Sequence, residues 1–384
     1  MRAARLAFVL TFVLLMLLPG VEMAYPFVAI HALDEKRRLA PPPDFTAKIL
    51  HGDGRLAGDI NRWFDDRIGF RPFFTRLSHQ IDYSLFAHAD KVYVGSDGWL
   101  FAKDMIEPEL DSIRQGKTLD AKLQRLFASL QNYLEHRGIR LVIVSNPSKE
   151  SIEAGHLPLN APRLPTDSPF QRLRTFLGSH KEWIYVDGES VEDSCGSYQL
   201  FFRLDEHILT PTAYCIAKEI VHRIAIAEGH SGDYWDPDLT WHEGGSTNGG
   251  DVSYLSILSN LTETIDVINK YYDVYKAPAE GAFNLNVQTY AVHDPRRPYE
   301  WVYHTYDQYR DKKLPPLVWY GNSFTDLYIL AGLQFQFTDV YRLRSNEVSL
   351  TDALKRIPPS TKYFMIQFLE PYLVDLAAND IRGE

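Results

Sequence analysis

One serine, one histidine and one aspartate in this chain have the types and settings that acyl transfer requires. Ser323 follows the apolar run Leu317–Tyr320 and a Gly-Asn turn, and it precedes a segment with helix-like apolar spacing. A hydrolase holds its nucleophile at such a strand-to-helix corner, because the hydroxyl is exposed there and helix amides lie nearby. The alternative is that Ser323 is an ordinary helix N-cap, which is a common role for serine.

Asp205 and His207 could supply the other two side chains of a triad. Serine is a weak nucleophile at neutral pH, so His207 would accept its proton during attack. The i, i+2 spacing lets the Asp205 carboxylate reach the far ring nitrogen, where it would orient the imidazole and favour the imidazolium. The ordinary alternatives are a surface or capping histidine and a turn carboxylate.

An acyl-transfer site also needs N–H donors for the developing oxyanion, and loss of one donor typically costs ~100-fold or more in rate. The backbone N–H of Ser323 is the natural first donor, and Gly321 and Asn322 in the same turn are further oxyanion or substrate candidates. Asn146 could add a side-chain donor, since it follows the apolar run Ile139–Val144. Its alternative role is that of a turn residue before Pro147.

Alternating apolar runs and amphipathic segments predict the elements that must position these residues. The predicted strands are Ile139–Val144, Trp183–Val186, Gln199–Arg203, Leu317–Tyr320, Phe337–Leu343 and Tyr363–Phe368. The predicted helices are Leu119–His136 (ended by Gly138), Phe170–Leu177, Thr210–Ala227, Thr325–Leu333 and Leu350–Ile357. This alternation indicates an α/β fold with a parallel sheet covered by helices on both faces. Ligands bind beyond the strand C-termini of such sheets, where Ser323 would lie, and also His207 if Gln199–Arg203 belongs to the sheet.

Two other regions have their own patterns. Lys91–Phe101 reads as two short strands joined by a Ser-Asp-Gly turn, which predicts a hairpin. Between residues 231 and 300 the sequence is aromatic and irregular, apart from the loop Gly244–Gly250 and a helix that Asp251 could cap through Leu261.

The N-terminus predicts export. Arg2 and Arg5 precede the apolar run Leu6–Leu18, which is the pattern of a secretory segment. Glu22 occupies a position where an Ala-x-Ala-like cleavage site would need a small residue. We therefore favour an uncleaved anchor, with its basic end on the inner side of the membrane and the bulk of the chain outside. The run is short for a membrane span, which leaves a cleaved signal peptide as the alternative. We expect a signal anchor or signal peptide over 1–32, a linker over 33–54 and a folded domain over 55–384.

Composition excludes several classes of protein. The 384 residues are 45% hydrophobic, enough for one large domain or two. The net charge of −10, with no dominant basic patch, argues against nucleic acid as a partner. Trp241-His242-Glu243 lacks the second histidine of a zinc-protease helix, and two cysteines cannot form a thiolate zinc site. We therefore expect no metal and no cofactor.

The two cysteines, Cys195 and Cys215, flank Asp205 and His207. In an exported protein they could form one disulfide bridge. The bridge would close a loop of ~20 residues and add about 3 kcal/mol by restricting the unfolded chain. The alternative is two buried free thiols.

Several blocks of this sequence resemble one family. Gly321–Phe324 is similar to the Gly-Asp-Ser-Phe/Leu block of SGNH hydrolases, with Asn322 in place of Asp. Asp205-Glu206-His207 precedes the serine, as in the alginate O-acetyltransferase AlgJ/AlgX-like branch, whose Asp-x-His-Trp motif has Ile208 here. The resemblance covers about residues 55 to 370, and its further blocks are Phe64–Arg71, Val94–Phe101, Asn146–Ile152 and Gly250-Asp251.

The resemblance implies an SGNH-hydrolase-like, flavodoxin-like sheet flanked by helices, and a periplasmic O-acetyltransferase anchored to the inner membrane. Ser323 would be the acetylated nucleophile, His207 the base and Asp205 its partner. The implied partners are an exopolysaccharide acceptor and a membrane-bound O-acyltransferase that passes acetyl across the membrane. A carbohydrate acetyl esterase with the same triad, and a non-catalytic polysaccharide-binding or scaffold protein, remain the alternatives.

Overall fold

The computed structural model describes residues 2–25, 27–28, 33, 38–46, 55–194, 199–230, 234, 241–247, 249–268, 282–284, 288–293, 300–379 and 381. It divides into two compact units. The first comprises Met1–Val94 and Val252–Leu261, and the second comprises Gly95–Asp251 and Thr262–Glu384. The segment boundaries expected from the sequence, at 33 and 55, stay a prediction.

The helices are α1 (Arg2–Ala24), α2 (Leu56–Asp65), α3 (Arg71–Phe86), α4 (Lys103–Glu135), α5 (Lys149–Ile152), α6 (Pro169–Ser179), α7 (Gly188–Ser194), α8 (Thr210–Ala227), α9 (Val252–Leu255), α10 (Phe324–Leu330), α11 (Leu350–Lys355) and α12 (Leu373–Ala377). The strands are β1 (Val92–Val94), β2 (Leu100–Ala102), β3 (Arg140–Asn146), β4 (Ile184–Asp187), β5 (Trp241–Thr247), β6 (Glu263–Ile268), β7 (Ala282–Asn284), β8 (Thr289–His293), β9 (Glu300–Thr305), β10 (Leu317–Gly321), β11 (Asp339–Arg344) and β12 (Tyr363–Leu369).

The first unit is mainly helical. In α3, Arg76 and His79 contact the carbonyls of Ile257 and Leu255 at 3.3 and 3.1 Å. Gln80 accepts the N–H groups of Leu258 and Ser259 at 3.1 and 2.8 Å. These contacts hold the segment around α9 against α3, although the two are far apart in sequence.

The second unit is built on one mixed sheet, with the strand order β4-β3-β12-β10-β11-β9-β8-β7. Strands β4, β3, β12, β10 and β11 run parallel to one another, as the sequence predicted. Strands β9, β8 and β7 continue the sheet in antiparallel order. The antiparallel extension was not predicted, because its short strands lie in and beside the stretch that appeared irregular.

The core lies on the parallel part of this sheet. All seven residues of β12 and all five of β10 are buried, and strands buried on both faces read as continuous apolar runs. One face is covered by α4, whose Leu119, Leu123, Leu130 and Leu134 join the core at helical spacing. These runs were recognisable in the sequence because burial on both faces leaves no polar alternation.

The long helix is longer than predicted. It begins at Lys103 rather than Leu119 and contains a break at Gly116, where φ is 50° and ψ is −131°. The glycine and Pro108 obscured the helical pattern before Leu119. The predicted end is confirmed, since Gly138 has φ 67° just beyond the helix and its N–H donates to the Glu135 carbonyl at 2.9 Å.

The prediction that Gln199–Arg203 is a strand of the sheet was wrong. Phe201 makes one isolated antiparallel bridge with Ile208, and the Phe202 N–H donates to the His207 carbonyl at 3.1 Å. The segment folds back on itself and pairs locally instead of joining the sheet. Asp205 and His207 therefore lie in a loop, and something other than sheet pairing must position them.

Candidate functional site

Strand β10 ends in a tight turn that only glycine permits. A Cβ at Gly321 would lie 2.5 Å from Cγ2 of Thr325 and 2.7 Å from Oε1 of Gln367. The Asn322 N–H donates to Oε1 of Gln367 at 3.1 Å, which fixes the turn against β12. The chain then enters α10 with Ser323 at the corner, as the sequence predicted.

Ser323 does not act as a helix cap. Its φ of −62° and ψ of −23° are already helical, and its side chain makes no capping hydrogen bond. Asn322 binds a backbone amide at the start of α10 instead, because its Oδ1 accepts the Phe324 N–H at 3.0 Å. The hydroxyl of Ser323 is thus available for another partner.

That partner is His207. Oγ of Ser323 lies 2.9 Å from Nε2 of His207, and Nδ1 of the same ring lies 2.5 Å from Oδ1 of Asp205. Because a carboxylate only accepts, Nδ1 carries the proton and Nε2 can accept the serine proton. The three predicted side chains form one continuous hydrogen-bonded chain.

Asp205 is held as a carboxylate by several donors. Oδ1 also accepts the backbone N–H of His207 at 3.0 Å, and Oδ2 accepts the N–H of Gly250. Burial opposes ionisation, but these donors and the His207 ring outweigh it and lower the pKa of Asp205 below its usual value. At Gly250 a Cβ would lie 2.8 Å from Oδ2, so the glycine permits this approach.

The electrostatics around His207 favour a stronger base. Burial alone would lower the pKa of His207, and the charge of Arg344 acts in the same direction. The hydrogen bond and charge of Asp205, with the charge of Glu206, outweigh both and raise the pKa above its ordinary value. The ring also packs on Phe324, with centroids 5.3 Å apart.

A buried lysine binds backbone carbonyl groups of the loop that carries Asp205 and His207. Lys149 is only 2% exposed. Its Nζ donates to the carbonyls of Leu100, Arg203 and Asp205 at 2.5, 3.1 and 2.9 Å. Asp251 supplies the opposite charge, with Oδ2 at 3.6 Å from Nζ. Three carbonyl acceptors and one counter-ion offset part of the cost of removing the ammonium from water, and burial still lowers the pKa of Lys149 below its usual value.

The amide side of the same loop is held by Glu263 at the start of β6. Its two carboxylate oxygens accept the N–H groups of Arg203 and Leu204, each at 2.8 Å. We call Lys149 and Glu263 the loop clamp. Sequence reasoning missed both roles, although Lys149 lies within the Asn146–Ile152 block.

The hairpin block Val94–Phe101 also acts on Lys149. Trp99 and Phe101 place their rings 5.4 and 5.2 Å from Nζ, within the range of cation–π attraction. The Gly95 N–H donates to the Trp99 carbonyl at 2.8 Å and closes the turn. Strands β1 and β2 flank this turn, as predicted.

Asn146 lies beneath the serine turn and is fully buried. Its Oδ1 accepts from the Tyr328 hydroxyl and from Nε2 of Gln367, both at 2.8 Å. Since Gln367 also binds the Asn322 N–H, Asn146 supports the turn from below. The oxyanion or substrate roles of Gly321, Asn322 and Asn146 stay predictions.

The structure describes one of the two cysteines of the predicted disulfide. Cys215 lies on α8 and is disulfide-bonded, whereas Cys195 lies outside the described residues. The bridge to Cys195 therefore stays a prediction.

A cavity of about 590 Å³ opens at Ser323. Its walls come from the β10–α10 turn, the loop 345–349, the end of β12 and the helix α12. This size is within the range of small-molecule sites. An acyl group on Ser323 would face this space.

Comparisons with known proteins agree with the family resemblance. Residues 92–277 match the family described as the SGNH hydrolase-like domain of acetyltransferase AlgX. That range contains Asp205 and His207 and ends before Ser323. The chain is 28% identical over 120 residues to the probable alginate O-acetylase AlgJ of Pseudomonas aeruginosa. The match covers 31% of this chain and 29% of that protein, so less than a third of the relative is matched.

Two solved structures are also similar. The O-acetyltransferase domain of Pseudomonas putida AlgJ has 17% identity and a TM-score of 0.49, over 76% of this chain and 94% of that one. PatB1 of Bacillus cereus has 14% identity and a TM-score of 0.46, over 68% of this chain and 92% of that one. The family match and the AlgJ relative confirm the predicted resemblance.

The raised pKa of His207 predicts the acidic limb of a pH–rate profile. His207 must be neutral to accept the serine proton, so cleavage of an activated acetyl ester should fall as pH drops through the raised pKa. Asp205→Asn removes the main group that raises this pKa, so the limb should move to lower pH and the plateau rate should fall by roughly 10³–10⁴-fold. An NMR titration of the His207 ring provides an independent check. A limb that stays at the same pH in Asp205→Asn would contradict this account.

The loop clamp predicts that Lys149 acts as a positioning residue. Lys149→Met should lower kcat by about 100-fold with little change in KM, because a shift of about 1 Å in the Asp205 loop misaligns the base. The control is Lys122→Met, which replaces an exposed lysine on α4.

Lys149→Met also leaves the Asp251 carboxylate buried without a counter-charge and can therefore impair folding. The double variant Lys149→Met/Asp251→Asn removes both charges and should recover thermal stability without recovering kcat. Recovery of kcat together with stability would reduce Lys149 to a purely structural role.

Proposed function

We propose that this chain is an acetyltransferase of the AlgJ/AlgX-like family and that it transfers acetyl groups to an exopolysaccharide through an acetyl-Ser323 intermediate. The match of residues 92–277 to the AlgX family and the similarity to AlgJ support this proposal. The observation that carries the proposal is the unbroken hydrogen-bonded chain from Asp205 through His207 to Ser323. Ser323, at one end of this hydrogen-bonded series, lines a cavity large enough for sugar units.

The first half-reaction loads the enzyme. Nε2 of His207 accepts the Ser323 proton while Oγ attacks the acetyl carbonyl carbon of the donor. Asp205 stabilises the imidazolium, with its Oδ1 2.5 Å from Nδ1. When the tetrahedral intermediate collapses, the bond to the donor's leaving group breaks and that group takes the proton from Nε2. Acetyl is then esterified to Ser323.

The second half-reaction uses the same base in the same way. A sugar hydroxyl gives its proton to Nε2 of His207 as its oxygen attacks the acetyl-Ser323 carbonyl. The bond to Oγ breaks, Oγ regains the proton from Nε2, and the acetylated sugar leaves. If water attacked acetyl-Ser323 in place of the sugar, the protein would be an esterase. Transfer therefore requires that a sugar hydroxyl, and not water, occupies the cavity when acetyl-Ser323 reacts.

The N-terminal helix supports a location at a membrane. The segment Ala4–Ala24 of α1 has a hydropathy of 2.2 and none of it is buried in the described structure. With Arg2 and Arg5 before it, the proposed orientation keeps the basic end in the cytoplasm and the catalytic domain in the periplasm. An acetyl donor supplied through a membrane-bound O-acyltransferase belongs to the same proposal.

The decisive variant is Ser323→Ala. It should lower acetyl transfer by roughly 10⁴-fold or more while the protein stays folded, because the nucleophile is lost and the fold contacts are kept. Mass spectrometry of the wild-type protein, quenched during turnover of p-nitrophenyl acetate, should locate acetyl on the peptide that contains Ser323. Ser179→Ala, an exposed serine on α6, is the matched control.

Three results would count against the proposal. Free acetate as the only product, with oligosaccharides present, would indicate the esterase. Full activity in Ser323→Ala would indicate a scaffold or binding protein. Acetyl found on another side chain would exclude Ser323 as the nucleophile.

A further inference from the structure

The cavity beside Ser323 has an uneven distribution of charge. Among the described residues that line it, the ionisable acids are Glu347 and Asp375, and none of the lining residues is Lys, Arg or His. Both carboxylates belong to exposed residues. The cavity therefore presents negative charge to whatever enters it.

We propose that this cavity binds the acetyl acceptor, and that the acceptor is a glycan without carboxylate groups. The inference rests on the proposed function, and it specifies the substrate class of the same site. A polyuronate would bring one carboxylate per sugar towards Glu347 and Asp375, and like charges at close range oppose binding.

The arginines nearest to the cavity do not neutralise its negative charge. Arg344 immediately precedes the loop 345–349, but its guanidinium pairs with Asp326 on α10. Arg342 pairs with the same carboxylate. Neither arginine lines the cavity, and Asp326 already balances part of their charge. A uronate carboxylate would find no lining cation in the described part of the cavity.

The other lining groups suit an uncharged sugar. Ser345, Asn346 and Asn379 offer hydroxyl and amide groups that both donate and accept hydrogen bonds, as sugar hydroxyls do. Tyr372 is 36% exposed, and its hydroxyl is directed to Sδ of Met105 at 3.4 Å. Its ring can therefore present an apolar surface to a sugar.

The charges that line this cavity differ from those expected in a site for alginate, the polysaccharide for which the AlgJ relative is named. Alginate is a polymer of uronic acids, and an alginate site is expected to carry cations that pair with carboxylates. The carboxylates here occupy the walls instead. The same catalytic chain would thus serve a different class of acceptor.

A matched pair of oligosaccharides tests the proposal. β-1,4-Mannohexaose and β-1,4-hexamannuronate have the same linkage and length and differ at C6, which carries CH₂OH in one and a carboxylate in the other. With p-nitrophenyl acetate as donor, acetylated product is quantified by mass spectrometry in low salt. We expect mannohexaose to be acetylated with at least ~10-fold higher kcat/KM, and the gap to narrow as added salt screens the charges.

Charge variants assign the selectivity to the cavity. Glu347→Gln/Asp375→Asn should raise the ratio of hexamannuronate to mannohexaose transfer by several-fold, because it removes the repelling carboxylates. Glu135→Gln, an exposed residue at the end of α4, is the control and should leave the ratio unchanged. A chitosan hexamer, whose protonated amines are attracted by the same carboxylates, should be accepted at least as well as mannohexaose.

The failure of this proposal can be distinguished from failure of the proposed function. Hexamannuronate accepted as well as mannohexaose would overturn it, and so would an unchanged ratio in the double variant. Acetyl-Ser323 that forms but is not consumed by any of the three glycans would overturn the cavity as the acceptor site. Absence of acetyl-Ser323 would instead contradict the proposed function itself.

Discussion

The arrangement of the site depends on the loop clamp that holds residues 203–207. Asp205 and His207 are not held by sheet pairing, so their positions rest on Lys149 at the carbonyl side and Glu263 at the amide side. Both clamp residues are almost fully buried. Hydrogen bonds to charged groups are stronger than neutral ones, and more so away from water. A loop can therefore hold an imidazole at 2.9 Å from Ser323.

The clamp makes the site depend on elements that never touch a substrate. Lys149 needs the Asp251 charge and the rings of Trp99 and Phe101 around its ammonium, because an unpaired buried charge would be strongly destabilising. On the opposite side of the site, Asn146 and Gln367 form a neutral support for the serine turn. The base is thus placed by buried charge and the nucleophile by sheet and amide contacts.

This division explains which parts of the site could be predicted from the sequence. The turn at Ser323 follows a strand buried on both faces and is marked by local residues, so its pattern is visible in sequence. The Asp205–His207 pair is also local. Gln199–Arg203 was wrongly predicted to be a strand because its apolar run, Leu200–Phe202, has only three residues. So short a run fits a strand as well as a loop that closes on itself. The role of Glu263 could not be predicted from the sequence, because its contact with Arg203 joins residues 60 apart. Local periodicity gives no information about such a contact.

The charges that prepare the base also bear on the choice of acceptor. Asp205 and Glu206 raise the pKa of His207, and Asp326 binds both Arg342 and Arg344, which limits the positive charge near the imidazole. Glu347 and Asp375 extend the negative field along the cavity. Such a field favours proton removal from a neutral hydroxyl, because it stabilises the imidazolium that forms. It also opposes the entry of an anion. Base strength therefore rests on Asp205 and Glu206, and the proposed choice of acceptor rests on Glu347 and Asp375. A change of acceptor to a polyanion would require new cations in the cavity walls as well as the loss of Glu347 and Asp375.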